Sequence, residues 1–315
     1  MSFAEGDVAI LRAEIAELKR TRSVIILAHV YQRPSVQHVA DFAGDSLGIS
    51  RKASEARADV IVVCGVRFMA ETASILSSGK TVLLPEPVAG CGLAEMATAE
   101  QIRERLRELP GDTAVVSYIN SSAEVKAESY ICCTSANAVG VVESVPQEHV
   151  LFVPDRNLAS YVAERTKKHI IPWNGRCYVH DPNINAEAIR ELKRLHPHAV
   201  IMVHPECSPT VRRVADFIGS TSQMLGFASQ SDRQQFIVGT EEGLLHPLQE
   251  QNPRKEFYAT GSVCSSMRLT TLSSIRLALD RMTNVVTVPD EIRERAAVAL
   301  NRMLKLQPPL RGGSL

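Results

Sequence analysis

Residues 200–221 read VIMVHPECSPTVRRVADFIGST, and this stretch decides the predicted fold. The apolar run Val200–Val203 predicts a buried strand, because it is short, rich in β-branched residues and closed by a turn with proline. A short helical run follows, and the hydroxyl residue Thr221 precedes the next helix. This order is typical of a parallel α/β layer, in which ligands bind beyond the carboxyl ends of the strands. His204 and Glu206 lie at that position in the pattern.

The same pattern occurs three times along the chain. A polar residue at the end of an apolar strand is followed 17 positions later by a hydroxyl residue. A cysteine follows 42 to 45 positions further on, so that successive cysteines are 86 and 87 positions apart. The three sets are His29, Ser46 and Cys91; Tyr118, Ser135 and Cys177; and His204, Thr221 and Cys264. Chance similarity among βα units explains a single match of this kind, but three matches with the same spacing indicate a repeat. We therefore predict an internal triplication.

Each copy predicts an opening helix and a small parallel sheet with helices packed on it. We therefore predict an α/β fold of three αβα sandwich domains related by a pseudo-threefold axis. The first domain would comprise residues 1–97 with the C-terminal helices in 275–315, the second 98–185 and the third 186–274. This arrangement would bring one polar residue, one hydroxyl residue and one cysteine from each copy to a common point.

Composition narrows the class of protein. The chain has 315 residues, 45% of them hydrophobic, and a formal net charge of zero. Without a basic stripe, nucleic acid and anionic membranes are not expected as partners. No apolar run reaches transmembrane length, and residues 11–20 form a charged amphipathic segment rather than a signal peptide. We expect a cytoplasmic protein, whose seven cysteines would then not form disulfides.

Cys91, Cys177 and Cys264 each follow a strand on a turn that contains glycine. Three soft thiolates with one open coordination position favour zinc or an iron–sulfur cluster. A 4Fe-4S cluster normally takes four cysteines, so a cluster held by three would leave one iron open. The C-x2-C spacing that is usual for cluster ligands is absent, so the repeat carries this prediction, and zinc remains an alternative. The other cysteines, which we interpret mainly as structural, are Cys64, Cys132, Cys133 and Cys207.

Seven motifs together resemble the quinolinate synthase family, in its iron–sulfur-dependent A-type form. The most distinctive motif is YINSSAEVKA at residues 118–127. The others are HVYQ at 29–32, GDS at 44–46, CTSAN at 133–137, HPEC at 204–207, GSTSQ at 219–223 and TEEG at 240–243. The resemblance extends from about residue 20 to residue 275. It departs at the turn after Cys264, which reads SSM where the family carries proline.

The resemblance implies a 4Fe-4S cluster, one per chain, bound by Cys91, Cys177 and Cys264, with the open iron acting as a Lewis acid. It also implies that iminoaspartate condenses with dihydroxyacetone phosphate to give quinolinate, phosphate and water in NAD biosynthesis. A partner enzyme that oxidises aspartate would supply the iminoaspartate.

This chemistry needs proton carriers and anchors for anions, and the motifs offer candidates for both. The predicted catalytic residues are Tyr31, Glu206, His204 and His29. The predicted substrate-binding residues are His29, Ser46, Tyr118, Asn120, Ser135, His204, Glu206, Ser220 and Thr221. Among them, the four hydroxyl residues lie at predicted helix N-termini, which favour anions; simple capping of the helices is the alternative. Glu206 is the leading general acid or base, and Tyr31 its candidate partner.

Two other functions remain open at this point. Another 4Fe-4S hydro-lyase acting on a hydroxy acid would share the open iron but would not need a phosphate anchor. A non-catalytic redox or iron sensor would use the cluster as a switch, although the sequence offers no DNA-binding motif or basic patch.

Overall fold

The computed structural model describes residues 5–306, and the tail from Gln307, predicted to be disordered, lies outside them. This part of the chain contains three four-stranded parallel sheets with flanking helices, which confirms the predicted α/β class. It forms two compact units, residues 5–91 with 264–289 and residues 92–263 with 290–306. No helix in 5–306 is long and apolar enough to span a membrane.

The first unit contains one sheet, in the order β2-β1-β3-β4. Its strands are β1 (Val24–His29), β2 (Phe42–Gly44), β3 (Val60–Cys64) and β4 (Thr81–Leu83). Its helices, numbered like the strands in chain order, are α1 (Glu5–Arg22), α2 (Pro34–Val39), α3 (Ser46–Glu55), α4 (Arg67–Leu76) and α13 (Leu272–Arg281). Ile26 and Val62 of the sheet pack with Ile15 of α1 and with Leu272 and Ile275 of α13. The core of this unit therefore combines the beginning of the chain with a helix from near its end.

The second unit contains two sheets, in the orders β6-β5-β7-β8 and β10-β9-β11-β12. The strands of the first are β5 (Ala114–Tyr118), β6 (Ile131–Cys133), β7 (His149–Val153) and β8 (His169–Pro172). Those of the second are β9 (Val200–Val203), β10 (Phe217–Ile218), β11 (Gln235–Gly239) and β12 (Glu256–Ala259). The helices of this unit are α5 (Ala99–Leu106), α6 (Ala123–Ala127), α7 (Ala138–Ser144), α8 (Arg156–Ala163), α9 (Ala186–Leu195), α10 (Pro209–Arg212), α11 (Thr221–Gln230), α12 (Leu245–Gln251) and α14 (Asp290–Lys305). Short 3₁₀ turns lie at Ala94–Met96, Glu242–Leu244 and Met267–Leu269.

The three sheets share one strand order, as an internal triplication requires. The likeness extends to single hydrogen bonds: Asp41 Oδ2 accepts from the backbone N–H of Ile26 at 2.8 Å, and Asp216 Oδ2 accepts from Ile201 at 2.8 Å. The pseudo-threefold axis and the three domain boundaries stay predictions. Helix α14, which the sequence analysis groups with the first domain, packs against α6 and β6.

Local details differ from the sequence expectations at two of the hydroxyl residues. The side chain of Asp45 caps α3 by accepting from the N–H of Gly48, and Ser46 is the first helical residue. Ser135 lies in a turn before α7, whose N-cap is Asn137. Ser220 is the N-cap of α11, as expected, and forms a capping box with Gln223. Ser135 is therefore not at a helix N-terminus.

Candidate active site

The predicted polar residues lie at the carboxyl ends of the central strands. His29 is the last residue of β1, Tyr118 is the last residue of β5 and His204 directly follows β9. In a parallel sheet this edge is where loops from neighbouring strands meet, so it is the expected place for a ligand.

Residues 204–207 form a tight turn, called here the His204 turn. The backbone N–H of Glu206 donates to His204 Nδ1 at 3.3 Å, and that of Cys207 donates to the His204 carbonyl at 3.0 Å. His204 and Glu206 are 3% and 2% exposed. The turn thus buries a carboxylate beside an imidazole, which requires further polar partners.

The carboxylate of Glu206 lies between two imidazoles. Its Oε2 is 3.0 Å from His180 Nδ1 and 3.2 Å from His204 Nδ1. The two rings stack, with centroids 4.5 Å apart and planes inclined by 23°. The other carboxylate oxygen, Oε1, is buried and has no hydrogen-bond partner among residues 5–306, which leaves it available to a ligand.

Each imidazole also contacts a hydroxyl group through its outer nitrogen. His180 Nε2 lies 2.9 Å from Thr240 Oγ1, and His204 Nε2 lies 3.1 Å from Ser135 Oγ. The five residues form a continuous polar chain, hydroxyl–imidazole–carboxylate–imidazole–hydroxyl, which we call the Glu206 relay. Because an imidazole can hold its proton on either nitrogen, the arm through His180 can move a proton between the carboxylate and the Thr240 hydroxyl group, whereas His204 Nδ1 already accepts the N–H of Glu206.

The relay controls the charge of its carboxylate. Burial alone would raise the pKa of Glu206, but the charge and contacts of His180 and His204 outweigh it and hold that pKa well below the ordinary value. Glu206 is therefore ionised. The pKa of Asp155 is raised instead, by burial and by the nearby Glu206 charge, although backbone N–H groups of Leu158 and Cys177 oppose the rise.

Cys177 lies beside this relay. Its backbone N–H donates to Asp155 Oδ2 at 3.2 Å, and its carbonyl accepts from the N–H of His180 at 3.1 Å. The thiol, a ring nitrogen of His180 and a carboxylate oxygen of Glu206 all lie within 4.8 Å of one another. The second unit thus places a predicted cluster ligand next to its proton-carrying groups.

Burial divides the seven cysteines into two groups, and the three predicted ligands make up the less buried one. Burial raises the pKa of the thiols of Cys64, Cys132, Cys133 and Cys207, which are all buried. Cys91, Cys177 and Cys264 are partly exposed. A metal ligand must be a thiolate, and a thiolate forms more readily at a partly exposed position. The three predicted ligands therefore fit an iron–sulfur cluster in donor chemistry, and the other four do not.

The remaining predicted residues of the second unit line the same sheet ends. Tyr118 is buried, and its backbone carbonyl accepts from Ser121 Oγ at 2.8 Å. The Oδ1 atom of Asn120 is buried without a hydrogen-bond partner among the described residues. Thr221 follows the capping residue Ser220 at the start of α11. Asn120 Oδ1 thus offers an acceptor to a bound molecule.

The first unit repeats the geometry of the His204 turn at residues 29–32, the His29 turn. The N–H of Tyr31 donates to His29 Nδ1 at 3.2 Å, and that of Gln32 donates to the His29 carbonyl at 2.9 Å. The rings of His29 and Tyr31 meet edge to face, with centroids 4.5 Å apart. Ser46, at the start of α3, belongs to the same unit. A phenol here takes the place that the carboxylate takes in the His204 turn.

Sequence reasoning missed two members of this site and gave a third no role. His180 and Asp155 were not singled out, and Thr240 appeared only within a motif. The only available signal was the proximity of His180 to Cys177, a predicted ligand three residues before it. Asp155 gave no signal, since it reads as an ordinary residue before a helix.

Comparison with known proteins agrees with these observations. The family model described as Quinolinate synthetase A protein matches residues 13–305. A quinolinate synthase of Desulforudis audaxviator is 54% identical over 299 residues, covering 94% of this chain and 98% of the relative. Quinolinate synthase 1 of Methanosarcina acetivorans is 50% identical over 295 residues, covering 93% and 96%. The chain therefore belongs to the quinolinate synthase family of enzymes.

Proposed function

We propose that this enzyme condenses iminoaspartate with dihydroxyacetone phosphate to give quinolinate, phosphate and water, in NAD biosynthesis. The single observation that carries the proposal is the Glu206 relay, found in a chain that matches the family along nearly its whole length. We also propose a cytoplasmic location and a supply of iminoaspartate by an aspartate-oxidising enzyme.

The proposal assigns a 4Fe-4S cluster to Cys91, Cys177 and Cys264. The donor chemistry of these three partly exposed thiols supports it. When bound, such a cluster would supply an iron with an open position, a Lewis acid that assists the loss of hydroxide during dehydration.

Proton transfer falls to the Glu206 relay. Since the carboxyl group is ionised, Glu206 can accept a proton but cannot donate one, so we assign it the base of the two roles that the sequence left open, although its depressed pKa makes it a weak one. His180 and His204 orient the carboxylate, and the His180 imidazole can carry the proton away. Thr240 and Ser135 hold the outer nitrogens of the two rings.

Substrate anions are assigned to the hydroxyl residues and their neighbours. Ser220 and Thr221 lie where the dipole and free N–H groups of α11 favour a negative charge. Ser46 has the same position on α3, and Ser135 presents its hydroxyl group beside His204. We assign these four residues to binding the carboxylates and the phosphate of the substrates. Asn120 offers the substrate its buried Oδ1 atom, which has no hydrogen-bond partner among the described residues.

Further contacts complete the assignment. His29 and His204 contact carboxylate or carbonyl oxygens, and Tyr118 binds the substrate. Tyr31 exchanges protons during the isomerisation and dehydration steps.

The test begins with iron and acid-labile sulfide, measured on protein purified without oxygen. About four irons per chain are expected, followed by quinolinate formation that depends on the triose phosphate. Cys91→Ala should lose both the visible absorbance and the activity, whereas the buried control Cys64→Ala should keep both. Dehydration of a hydroxy acid without triose phosphate would favour the hydro-lyase alternative. Zinc in place of iron would overturn the cluster assignment.

A further inference from the structure

We propose that Arg212 is a positioning residue of this enzyme, whose guanidinium holds the His204 turn against α8. The inference rests on the proposed function, in which Glu206 accepts a proton. Arg212 ends the short helix α10, which directly follows the His204 turn. It is only 4% exposed, although arginine is seldom buried without a structural or chemical reason.

One side of the guanidinium binds the backbone around Glu206. Arg212 Nη1 donates to the carbonyl of Cys207 at 2.9 Å and to that of Pro205 at 3.4 Å. These carbonyls belong to the residues immediately before and after Glu206. The Pro205 carbonyl belongs to the peptide plane just before Glu206, and the Cys207 carbonyl belongs to the plane one residue beyond it, so these two bonds hold the backbone that flanks Glu206.

The same group also binds the second repeat. Nη1 donates to the carbonyl of Asn157 at 2.9 Å, and Nη2 donates to Ser160 Oγ at 3.0 Å and to Glu164 Oε1 at 2.7 Å. Asn157 and Ser160 lie in α8, and Glu164 is its C-cap. A single planar fork therefore joins the His204 turn to α8.

This join matters because the relay draws on both repeats. Glu206 and His204 come from the third repeat, whereas His180 comes from the second. Asp155, the N-cap of α8, also holds the backbone of Cys177, three residues before His180. Arg212 thus connects the segment that carries Glu206 to the helix whose start is tied to the His180 segment. A shift of α8 against the turn would change the 3.0 Å contact between His180 and Glu206.

Stability alone does not account for this arginine. Its Nε atom is buried without a hydrogen-bond partner among the described residues, which is an unfavourable state for a polar atom. Its charge partner Glu164 has a side chain that is 49% exposed, so the ion pair is partly solvated. The guanidinium of Arg212 instead donates to several acceptors at once. A lysine ammonium could not reproduce these bonds, because it lacks the planar fork.

The experiment compares Arg212→Met and Arg212→Lys with the neighbouring control Arg213→Met, whose side chain is exposed. Cluster-loaded enzyme is assayed without oxygen, with kcat expressed per cluster and with Tm measured alongside. We expect Arg212→Met to lower kcat about 10- to 100-fold, as misplacement of a reacting group does, with little change in the KM for the triose phosphate. Arg212→Lys should recover only part of the loss, and Arg213→Met should behave as the parent enzyme.

A purely structural role would lower Tm and the yield of loaded enzyme but not kcat per cluster. The cycle with Glu206→Gln separates the two roles: in that background Arg212→Met should cause no further loss of turnover, because the group it positions is already disabled. Turnover of Arg212→Met within about twofold of the parent would overturn the proposal, as would a full additional loss in the Glu206→Gln background. If Arg212→Met does not fold, Arg212→Lys decides by the same criteria. Normal turnover of Glu206→Gln itself would remove Glu206 from the proposed mechanism, and the role of Arg212 with it.

Discussion

The His29 turn and the His204 turn have nearly the same backbone and different chemistry. In each, the N–H two residues after the histidine donates to its Nδ1, and the N–H three residues after it donates to its carbonyl. The residue that makes the first of these contacts is Tyr31 in one turn and Glu206 in the other. The phenol packs edge-on to its own histidine, whereas the carboxylate contacts two imidazoles. The repeated backbone therefore supplies a fixed geometry, and a single side chain decides whether it carries charge.

The largest effect should come from removing that charge. Glu206→Gln keeps the shape of the side chain but no longer accepts a proton, so turnover should fall about 10²- to 10⁴-fold. Iron content and visible absorbance should stay unchanged, because Glu206 is not a predicted ligand of the cluster. Anaerobic assays with metal analysis measure both. Unchanged turnover would show that the two turns do not differ in the way proposed.

A smaller effect should come from the equivalent position in the other turn. Tyr31→Phe keeps the ring packed on His29 and removes only the hydroxyl group. If Tyr31 exchanges protons only in the isomerisation and dehydration steps while the Glu206 relay serves the others, turnover should fall about 10- to 100-fold, at or below the lower end of the range for a general acid or base. The assay compares Tyr31→Phe with Glu206→Gln at saturating substrates. A loss equal to that of Glu206→Gln would contradict the unequal roles.

The aspartates that support the strand before each turn can be tested by measuring the free energy of unfolding. Asp41→Ala and Asp216→Ala each remove an acceptor for one strand N–H, and each should cost about 1–2 kcal/mol. Asp41 also pairs with Lys19 at 2.7 Å, but a surface ion pair adds less than about 1 kcal/mol. Urea unfolding followed by circular dichroism gives both values. If the losses of unfolding free energy in the two variants differed by more than about 2 kcal/mol, the two aspartates would not support their strands in equivalent ways.

The smallest effect should be the difference between substitutions at two glycines near the turns, Gly44 at the end of β2 and Gly219 directly after β10. A Cβ atom would meet the ring of Phe42 at 2.5 Å in Gly44→Ala and that of Phe217 at 2.6 Å in Gly219→Ala. Phe217 is stacked on Phe227, with centroids 4.2 Å apart, so its ring has less freedom to move aside. We expect Gly219→Ala to cost about 1 kcal/mol more than Gly44→Ala, as overpacking does. The same unfolding measurement applies, and an equal or reversed order would contradict this account.

The sequence predicted the central strands well and one edge strand of each sheet poorly. β1, β5 and β9 are apolar runs of four to six residues, long enough to recognise. β2, β6 and β10 contain two or three residues, too few for a pattern, and tertiary pairing alone makes them strands. The predicted C-terminal helices are confirmed as α13 and α14, which lie on either side of Pro289.

The site shows the same limit. His204 and Glu206 were predicted because they follow a recognisable strand, and His180 was missed because it lies in a loop without periodicity. Its distance from Glu206 depends on how two repeats pack, which no local pattern records. Arg212 was missed for a related reason: an arginine in a short polar segment reads as a surface residue, and only its 4% exposure shows otherwise.

The division of the first unit between two distant parts of the chain has a consequence during synthesis on the ribosome. Leu272 and Ile275 complete the core that also contains Ile15 and Ile26. These residues emerge only after the whole of 92–263 has been translated. The first sheet must therefore wait, with part of its apolar surface uncovered, while the second unit is still being made. A nascent chain stopped before Leu272 should accordingly be a better target for chaperones and proteases than the finished protein.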